Sequence, residues 1–422
     1  MKPEHGLLDW GTVAIFVTVY IGMILGGLPR LKLDRSGVAL LGAIGVIGLG
    51  AMSTAQAANA VDLPTVLLLF AFMVVSAQMR LGGFYTAVTR QVAALPLGRD
   101  ALLGALIAVA GALSAVFSND IICLAMTPVV AQLCLQRRLN PVPFLLGLAC
   151  AANIGSAATL IGNPQNMLIG SVLQLPFGAY VRQALPPVLL SLGVLWAWLV
   201  WGPGHAEPTV PATSSDHLPA DLPSGYGPLQ APPFDAWQTA KGLTVASALL
   251  MVFLFTDWPR EVAALVGAGV LLLSRRLHSS DVMGFIDWPL LVLFTGLFVV
   301  NQAFESTGLA VQAVAWLAVQ GVQLADPGVL FVAGVGLSNL VSNVPAVMLL
   351  LPHLQGPDAG TMLALASTLA GNLLLVGSIA NLIVVDLAQK SGVTIDWRMH
   401  ARVGVPVTLL TLGLVWAWLR WF

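Results

Sequence analysis

A Ser-Asn pair whose asparagine precedes a proline by nine residues occurs twice inside long apolar stretches of this chain. The first copy, FSNDIICLAMTP, runs from Phe117 to Pro128, and the second, VSNVPAVMLLLP, runs from Val341 to Pro352. In each copy a proline follows the asparagine by nine residues. Hydroxyl and amide groups can satisfy an unwound backbone inside a membrane, or they can bind a polar solute. The repetition therefore predicts a duplicated functional motif.

A second pair of polar stretches follows the first pair along the chain. ANIGSAATLIGNPQN covers residues 152–166, and GNLLLVGSIAN covers residues 371–381. In both, a glycine precedes an asparagine by four residues, as in Gly162 to Asn166 and Gly377 to Asn381. Polar and helix-breaking residues at corresponding places in two halves of a membrane chain indicate a transporter's binding site near the bilayer midplane.

Asp120 is the one carboxylate that the hydropathy pattern places deep in an apolar stretch. An acid inside the membrane is costly and indicates function, and we expect Asn119, Asn343 or Thr127 to be its hydrogen-bond partner. Burial favours the protonated form of a carboxyl, which suits a group that loads and releases a proton. The alternative is that Asp120 only holds the local fold through hydrogen bonds. No Lys, Arg or His is expected at comparable depth, so the site is unsuited to a highly charged anion.

Cys123 follows Asp120 by three residues on the same predicted helix. Its thiol could ligate a trivalent metalloid, although a membrane cysteine is more often a small apolar filler. Cys134 and Cys150 also lie in apolar stretches without paired metal-ligand spacing, so neither a metal site nor a disulfide framework is expected.

The composition identifies an integral membrane protein. Of 422 residues, 58% are hydrophobic and only 9% are charged, whereas soluble domains carry roughly a quarter charged residues. A net charge of −1 without a basic stripe argues against a nucleic-acid partner. The chain has no GxxxxGK[ST] run for ATP. It is therefore expected to be a secondary transporter without enzymatic activity, whose only cofactor is a coupling ion, a proton or sodium.

The hydropathy pattern predicts an all-α membrane fold of about ten transmembrane helices and two re-entrant hairpins, because each apolar stretch is long enough to cross a bilayer. The predicted hairpins are 101–135 and 328–355, since each of these two stretches is too long for one helix and is interrupted at the duplicated motif. The predicted crossings, each read as uninterrupted, are 10–28, 37–53, 64–80, 143–171, 183–201, 239–256, 261–275, 286–304, 361–388 and 403–421.

Lysines and arginines cluster after alternate crossings, while residues 305–360 contain none. The positive-inside rule then puts both termini outside, the first hairpin on the cytoplasmic side and the second on the external side. The chain divides into an N-terminal repeat, 1–201, a Pro/Ser/Gly-rich cytoplasmic linker, 202–238, and an inverted C-terminal repeat, 239–422. Inverted repeats are typical of secondary transporters.

The motifs resemble those of the ion transporter superfamily, which contains the ArsB arsenite permeases, the NhaD sodium/proton antiporters and the divalent-anion/sodium symporters. SNDIICLAMTP is similar to the Asn-Asp hairpin tip of ArsB and NhaD proteins, whereas the dicarboxylate branch has Ser-Asn-Thr there. The TLIGNPQN segment resembles the NhaD and dicarboxylate pattern and departs from ArsB, which lacks the Gly-Asn-Pro. SNVPAV and GSIAN resemble the second half of ArsB proteins. The resemblance covers nearly the whole chain.

The ArsB resemblance implies export of arsenite and antimonite in exchange for protons across the plasma (inner) membrane. Arsenious acid is uncharged at neutral pH and would be held by hydroxyl and amide groups. Asp120 would then carry the proton. The resemblance implies that the solute is bound, or the unwound segments around it are lined, by Ser118, Asn119, Thr127, Asn153, Asn163, Asn166, Ser342, Asn343, Asn372, Ser378 and Asn381.

Other functions remain open at this point. The same fold could exchange sodium for protons or carry another inorganic or organic anion. A passive channel, or a scaffold that docks a partner through the linker, is a further alternative that inverted hairpins disfavour. The expected partners are a small inorganic solute and the lipid bilayer, with a homodimer and an optional cytoplasmic ATPase left open.

Overall fold

A computed structural model describes residues 6–28, 31–202 and 233–421. These residues form an all-helical structure, in which no β-strand occurs within the described ranges. Eight of the described helices are long and apolar enough to cross a membrane. The expectation of an all-α, multi-pass membrane protein is thereby confirmed. Residues 203–232 of the predicted linker lie outside the described residues, so the linker and the domain boundaries at 201 and 239 stay predictions.

The first half of the chain contains ten described helices. They are α1 (Leu7–Leu25), α2 (Arg35–Gly48), α3 (Thr54–Ala60), α4 (Leu63–Leu81), α5 (Phe84–Ala94), α6 (Arg99–Val116), α7 (Asn119–Gln136), α8 (Pro141–Ser156), α9 (Pro164–Val172) and α10 (Phe177–Trp201).

The second half repeats this series in the same order within the described residues. Its helices are α11 (Ala236–Phe255), α12 (Arg260–Leu272), α13 (Ser279–Met283), α14 (Trp288–Ser306), α15 (Leu309–Val319), α16 (Pro327–Val341), α17 (Asn343–Leu350), α18 (Ala359–Ala370), α19 (Ile379–Lys390) and α20 (Trp397–Trp421). Each helix of the first half therefore has a counterpart ten places later.

The local sequence of α4 and α14 shows how closely the two halves correspond. Each helix is 19 residues long, has a proline in its first turn, and is capped by an aspartate, Asp62 or Asp287, whose carboxylate accepts a hydrogen bond from a backbone N–H of the first turn. Each is followed by a helix that starts at a glycine in the left-handed region, Gly83 or Gly308. Glycine adopts that conformation without a steric penalty. The same capping and turn chemistry thus builds this unit twice.

The number of crossings explains why the two halves are inverted. By the topology predicted from the sequence, α1, α2, α4, the α8–α9 pair and α10 of the first half each cross once, whereas α6 and α7 form a hairpin that returns to the side it entered. Five crossings is an odd number, so the second half starts on the opposite face of the membrane. The protein accordingly has ten crossings and two hairpins, arranged as inverted repeats. The hairpin turns lie at residues 117–118 and at Ser342, where the duplicated motif predicts them.

Two of the predicted crossings are not continuous helices. The stretches 143–171 and 361–388 are continuous in hydropathy, and the polar and helix-breaking residues within them predict unwound segments. In the structure α8 ends at Ser156 and α9 begins at Pro164, while α18 ends at Ala370 and α19 begins at Ile379. Glycines and a proline cause these breaks, because glycine weakens a helix and proline lacks the N–H that a continuous helix needs. Each break leaves free backbone groups at mid-helix, and polar side chains satisfy them.

Helices of the two halves interleave. α2 packs against α14, and α12 packs against α4, so each half contributes one helix to the other half's framework. The second helix of each hairpin also contacts both halves. α7 packs against α8 and α19, and α17 packs against α18 and α9. Each hairpin therefore meets both broken helices, and this packing gathers the polar segments of the two halves in one region.

Candidate functional site

Asn153 of α8 is the centre of a hydrogen-bonded group of side chains that joins the two halves. Its amide nitrogen donates to the side-chain oxygens of Asn372, at 2.8 Å, and Asn381, at 3.2 Å. Its oxygen accepts from the amide of Asn119, at 2.9 Å, and from the hydroxyl of Ser378, at 3.0 Å. All five residues are buried. We call these five residues the central cluster.

A second group of buried polar side chains lies at the break of the first half. The amide of Asn163 donates to the hydroxyls of Ser156, at 3.0 Å, and Thr368, at 3.3 Å. The amide of Gln165 also donates to the Thr368 hydroxyl, at 3.2 Å, and that hydroxyl donates to the side-chain oxygen of Asn166, at 3.3 Å. We call Ser156, Asn163, Gln165, Asn166 and Thr368 the N-terminal cluster. Thr368 belongs to α18, so this cluster also joins the two halves.

The two clusters are related by the repeat. Asn163 and Ser378 both cap the helix after a break, because each side-chain oxygen accepts a backbone N–H of α9 or α19. Asn153 reaches across to Ser378 and Asn381, and Thr368 reaches across to Asn163 and Asn166. Each half therefore holds the other half's broken helix with one side chain. The predicted grouping of the asparagines around the two breaks agrees with these contacts.

The two hairpin tips approach the clusters differently. The backbone N–H of Asn119 lies 3.4 Å from the carbonyl oxygen of Gly162, and its side chain donates to Asn153. The amide nitrogen of Asn343 lies 3.3 Å from where a Cβ on Gly371 would stand. No hydrogen bond joins Asn119 and Asn343 directly in the described structure. Asn119 and Ser378 both bond the side chain of Asn153, and Ser378 and Asn343 both border Gly371.

Ser342, at the second tip, has an unusual backbone conformation. Its φ is 79° and its ψ is 158°, a region that is essentially restricted to glycine. Ser118, at the first tip, has an ordinary φ of −57°, and its side chain makes no capping hydrogen bond. A residue held in such a strained conformation costs about 1–3 kcal/mol and indicates a functional segment. The second tip is therefore the strained one.

Three amide oxygens near the tips are buried without a hydrogen-bond donor. They belong to Asn119, Asn343 and Asn339. The Asn339 oxygen stands 2.9 Å from where a Cβ on Gly377 would lie, and its amide nitrogen donates to the carbonyl of Ala370. An unpaired buried acceptor costs about 1–3 kcal/mol. Oxygens of this kind favour a ligand that brings hydroxyl hydrogens or positive charge.

Asp120 does not make the hydrogen bonds that the sequence led us to expect. It is half-buried in the first turn of α7, and no described side chain donates to its carboxylate. Asn119 donates to Asn153 instead, and the Thr127 hydroxyl donates to the Cys123 carbonyl one turn back in its own helix. The prediction of Asn119, Asn343 or Thr127 as the partner of Asp120 is therefore wrong. The positive end of α7 is what favours a negative charge there.

Two other predicted residues stand apart from the clusters. Thr127 is fully buried and satisfied by its own helix, so it does not join the solute-binding candidates. Cys123 is also fully buried, and its role as a metalloid ligand stays a prediction.

Several residues at the site escaped the sequence analysis. Asn339 belongs to a second Ser-Asn pair, four residues before Ser342 and Asn343, and that repetition was a usable signal. Thr368 has no such signal. His400 corrects the expectation that no histidine lies deep, because it is 1% exposed and its Nε2 lies 3.0 Å from the Asn372 carbonyl oxygen.

A cavity of about 460 Å³ reaches the helices that carry these clusters. Its lining includes Leu168 of α9 and Met348 of α17, together with Asp62 at the start of α4 and Glu305 near the end of α14. By the predicted topology these helix ends face outward. The cavity therefore lies beside α9 and α17 on the outward side, and no residue of the two clusters lines it.

A family model described as "Citrate transporter" matches residues 18–362. The chain is similar to a silicon efflux transporter of Oryza sativa subsp. japonica, with 29% identity over 96% of each chain. It is also similar to the putative transporter arsB of Dictyostelium discoideum, with 23% identity over 98% of this chain and 91% of the relative.

A solved structure has the same fold. The Alcanivorax borkumensis YdaH transporter, whose crystal structure was described as having an unusual topology, superposes with a TM-score of 0.58. The match covers 98% of this chain and 97% of that chain at 15% sequence identity. This likeness supports the arrangement of helices and says nothing about the solute.

Proposed function

Because the chain belongs to the citrate transporter family of membrane transporters, we propose that it is a secondary transporter that exports arsenite and antimonite in exchange for protons. The observation that carries the proposal is the set of unpaired amide oxygens of Asn119, Asn339 and Asn343 beside the two breaks. Arsenious and antimonous acids are uncharged hydroxides whose O–H groups would donate to these oxygens.

The same observation argues against citrate as the solute of this chain. The two clusters are made of amide, hydroxyl and backbone groups, and none of their hydrogen bonds involves a Lys or Arg. A multiply charged carboxylate needs positive partners to offset its desolvation. Unpaired acceptor oxygens would instead repel it, so an uncharged donor-rich solute fits better.

The rice relative favours a second solute of the same chemistry. Silicon in neutral water is silicic acid, another small uncharged hydroxide, and that relative is named a silicon efflux transporter. The relative named arsB favours the arsenic compound. A site that recognises O–H groups through amide oxygens would accept both, so silicic acid is the first alternative to test.

Asp120 is the proposed proton carrier. It is the half-buried carboxylate at the start of α7, next to Asn119 of the central cluster, and its oxygens have no donor among the described residues. A carboxyl that is not fixed by hydrogen bonds can change protonation without breaking the fold. Sodium is the alternative coupling ion, because amide oxygens are also suitable ligands for a cation. A sodium/proton antiporter is therefore the runner-up.

The test is solute uptake into everted membrane vesicles. Uptake of arsenite that is driven by an imposed proton gradient and abolished by a protonophore supports the proposal. Two parallel assays separate the alternatives. One measures the uptake of silicic acid, and the other measures whether added sodium dissipates the proton gradient. Uptake of none of these under a gradient, or uptake unaffected by collapsing it, would contradict proton-coupled metalloid efflux.

Asp120→Asn is the matching variant, and it should abolish proton-driven uptake while leaving the folded yield unchanged. Asp386→Asn is its control, because Asp386 is an exposed carboxylate of α19 that pairs with Lys390 one turn away. Such exposed pairs contribute about 0.3–0.5 kcal/mol, so this control should retain uptake. Full activity of the Asp120→Asn variant would remove Asp120 from the mechanism.

A further inference from the structure

His400 makes a contact that fixes its hydrogen position. It is buried in the first turn of α20, and its Nε2 lies 3.0 Å from the carbonyl oxygen of Asn372. A carbonyl oxygen only accepts hydrogen bonds, so Nε2 must carry the hydrogen. In the neutral ring Nδ1 is then an acceptor. That nitrogen is buried and has no partner among the described residues.

The residue that His400 holds belongs to the central cluster. Asn372 lies in the break between α18 and α19, where its side-chain oxygen accepts from Asn153 and its amide donates to the Cys150 carbonyl, at 3.4 Å. His400 therefore contacts Asn372, and Asn372 in turn bonds Asn153 of the other half. Any change in the His400 contact acts on the position of Asn372.

The first half makes the equivalent contact with a tyrosine. Tyr180 is the fourth residue of α10, as His400 is the fourth residue of α20. Its hydroxyl donates to the carbonyl of Ala157, at 2.8 Å, at the start of the other break, and accepts from Asn166, at 3.1 Å. Tyr180 therefore has both of its hydrogen-bonding roles filled. The two halves use one contact, but only the second half makes it with a histidine, the side chain whose unperturbed pKa lies between 5 and 8.

A glycine one turn further along α20 makes room for this contact. A Cβ on Gly404 would stand 2.3 Å from the Asn372 carbonyl oxygen and 2.8 Å from the His400 Nε2. Backbone cannot yield at such distances, so only glycine allows the helix, the ring and the break to meet. The close approach is a built feature of the fold.

The surroundings of the ring contain no countercharge for a second proton. α20 packs against α8, α10, α18 and the turn at 375–377. The described titratable groups of these elements are Cys150, Tyr180 and Arg182, and α20 itself adds Arg398, Arg402 and Arg420. The carboxylate at the start of α20, Asp396, caps the helix by accepting from the Met399 N–H. A positive charge in the first turn of a helix is also opposed by the helix dipole.

We propose that His400 is a proton-binding positioning residue of the second half, which holds the α18–α19 break when its ring is neutral and releases it when Nδ1 binds a proton. This inference rests on the proposed proton coupling and adds to it a second proton-binding group. The physical reason is that a charged ring has a second N–H without an acceptor in the present arrangement, so protonation favours a different position of Asn372 and of the break.

The experiment measures the accessibility of the break in the purified protein at different pH. Val376 lies in the turn within the break and is 57% exposed, while Cys123, Cys134 and Cys150 are buried, so a Val376→Cys variant gives a single reactive thiol. Its rate of labelling by a maleimide is measured between pH 5 and 8 with His400 present and with His400→Tyr. The tyrosine is the residue that the first half uses at this place, and it does not titrate in this range.

The ratio of the two rates cancels the pH dependence of the thiol itself. We expect that ratio to change by about threefold or more across the range, as a shift of a two-state equilibrium would produce. A constant ratio would overturn the proposal. If His400→Tyr does not fold, His400→Gln replaces it, because a glutamine amide can donate to the same carbonyl without titrating.

A second measurement keeps the proposal testable if the variants do not fold. If neither variant folds, the ring tautomer is read by nitrogen NMR on the natural protein, where a hydrogen on Nδ1 of the neutral ring would overturn the proposal and a hydrogen on Nε2 with titration between pH 5 and 8 would support it. Labelling and NMR need no transported solute. The role of His400 can therefore fail while metalloid efflux stands, and the reverse also holds.

Discussion

Replacing Asn153 by aspartate tests the central cluster most sharply. The substitution keeps the shape of the side chain and keeps an oxygen to accept from Asn119 and Ser378. It removes the amide hydrogens that reach the side-chain oxygens of Asn372 and Asn381. Those two amides cannot turn around to compensate, because their own nitrogens already donate to backbone carbonyls. We therefore expect the Asn153→Asp variant to be less stable.

The size of the loss follows from the number of buried acceptors left without a donor. Each such acceptor costs about 1–3 kcal/mol, so two of them give a loss of roughly 2–6 kcal/mol in the free energy of unfolding. A protonated aspartate could donate to one of the two, which sets the lower bound near 1 kcal/mol. With an unfolding entropy of about 2 cal/mol/K per residue, the expected drop in Tm is roughly 1–7 °C.

Asn163→Asp is the matched control in the N-terminal cluster. The amide of Asn163 donates to two hydroxyls, those of Ser156 and Thr368. Both hydroxyls keep a hydrogen bond without it, since Ser156 donates to the Asn153 carbonyl and Thr368 donates to Asn166. The remaining oxygen can still cap α9 by accepting from the backbone N–H of Asn166. This variant should lose less than about 1 kcal/mol. Thermal unfolding of both variants in detergent decides the matter, and equal drops in Tm would refute the reasoning.

Three further predictions use the backbone and the capping groups. Ser342→Gly should raise the free energy of unfolding by about 1 kcal/mol, because it relieves the strained φ of 79°. Ser118→Gly, at an ordinary φ of −57°, should lower the free energy of unfolding by about 0.5–1 kcal/mol. Changes in Tm of the same sign in both variants would contradict this reasoning. Gly155→Ala should abolish folded protein, because its Cβ would stand 2.2 Å from a backbone carbonyl of α6, while Gly193→Ala, which has open space, should express normally by size-exclusion chromatography. Asp34→Ala should lower Tm at pH 7 and lose that effect in acid. Hydrogen bonds from the first turn of α2 hold the pKa of the Asp34 carboxyl below its usual value. The stabilisation from Asp34 is therefore present above that usual pKa and disappears as the carboxyl becomes protonated.

The repeated architecture could be predicted because it rests on local composition. Polar residues within apolar stretches identify the hairpin tips, and the glycine-to-asparagine spacing finds the two breaks. Both helices after the breaks start at a capping side chain, Asn163 or Ser378, as the chemistry of helix starts requires. Hydropathy alone did not show that 143–171 and 361–388 are interrupted, since the breaks are as apolar on average as the helices around them.

The partners across the site could not be predicted in the same way. Asn119 and Asp120 are neighbours in sequence, yet successive residues of a helix point about 100° apart and do not share a partner. Asn119 therefore meets Asn153, while no hydrogen bond joins Asp120 to Asn153 in the described structure. His400 was missed because two arginines beside it, Arg398 and Arg402, make the helix start look like an interfacial segment. Tertiary packing, which no local pattern records, buries that one ring.

The differences between the two halves bear directly on coupling. In an inverted-repeat transporter the two halves exchange roles between the inward-facing and outward-facing states, so identical halves would make the two states equal in energy. This chain differs at two equivalent pairs of positions: Asp120 stands opposite Val344, and His400 stands opposite Tyr180. In each pair only one half has a carboxyl or an imidazole. A ligand shifts a two-state equilibrium only by its differential affinity for the two states. Under the proposed coupling, a proton that binds at one half without a counterpart at the other would have that differential affinity, and this asymmetry would allow a proton gradient to drive the exchange.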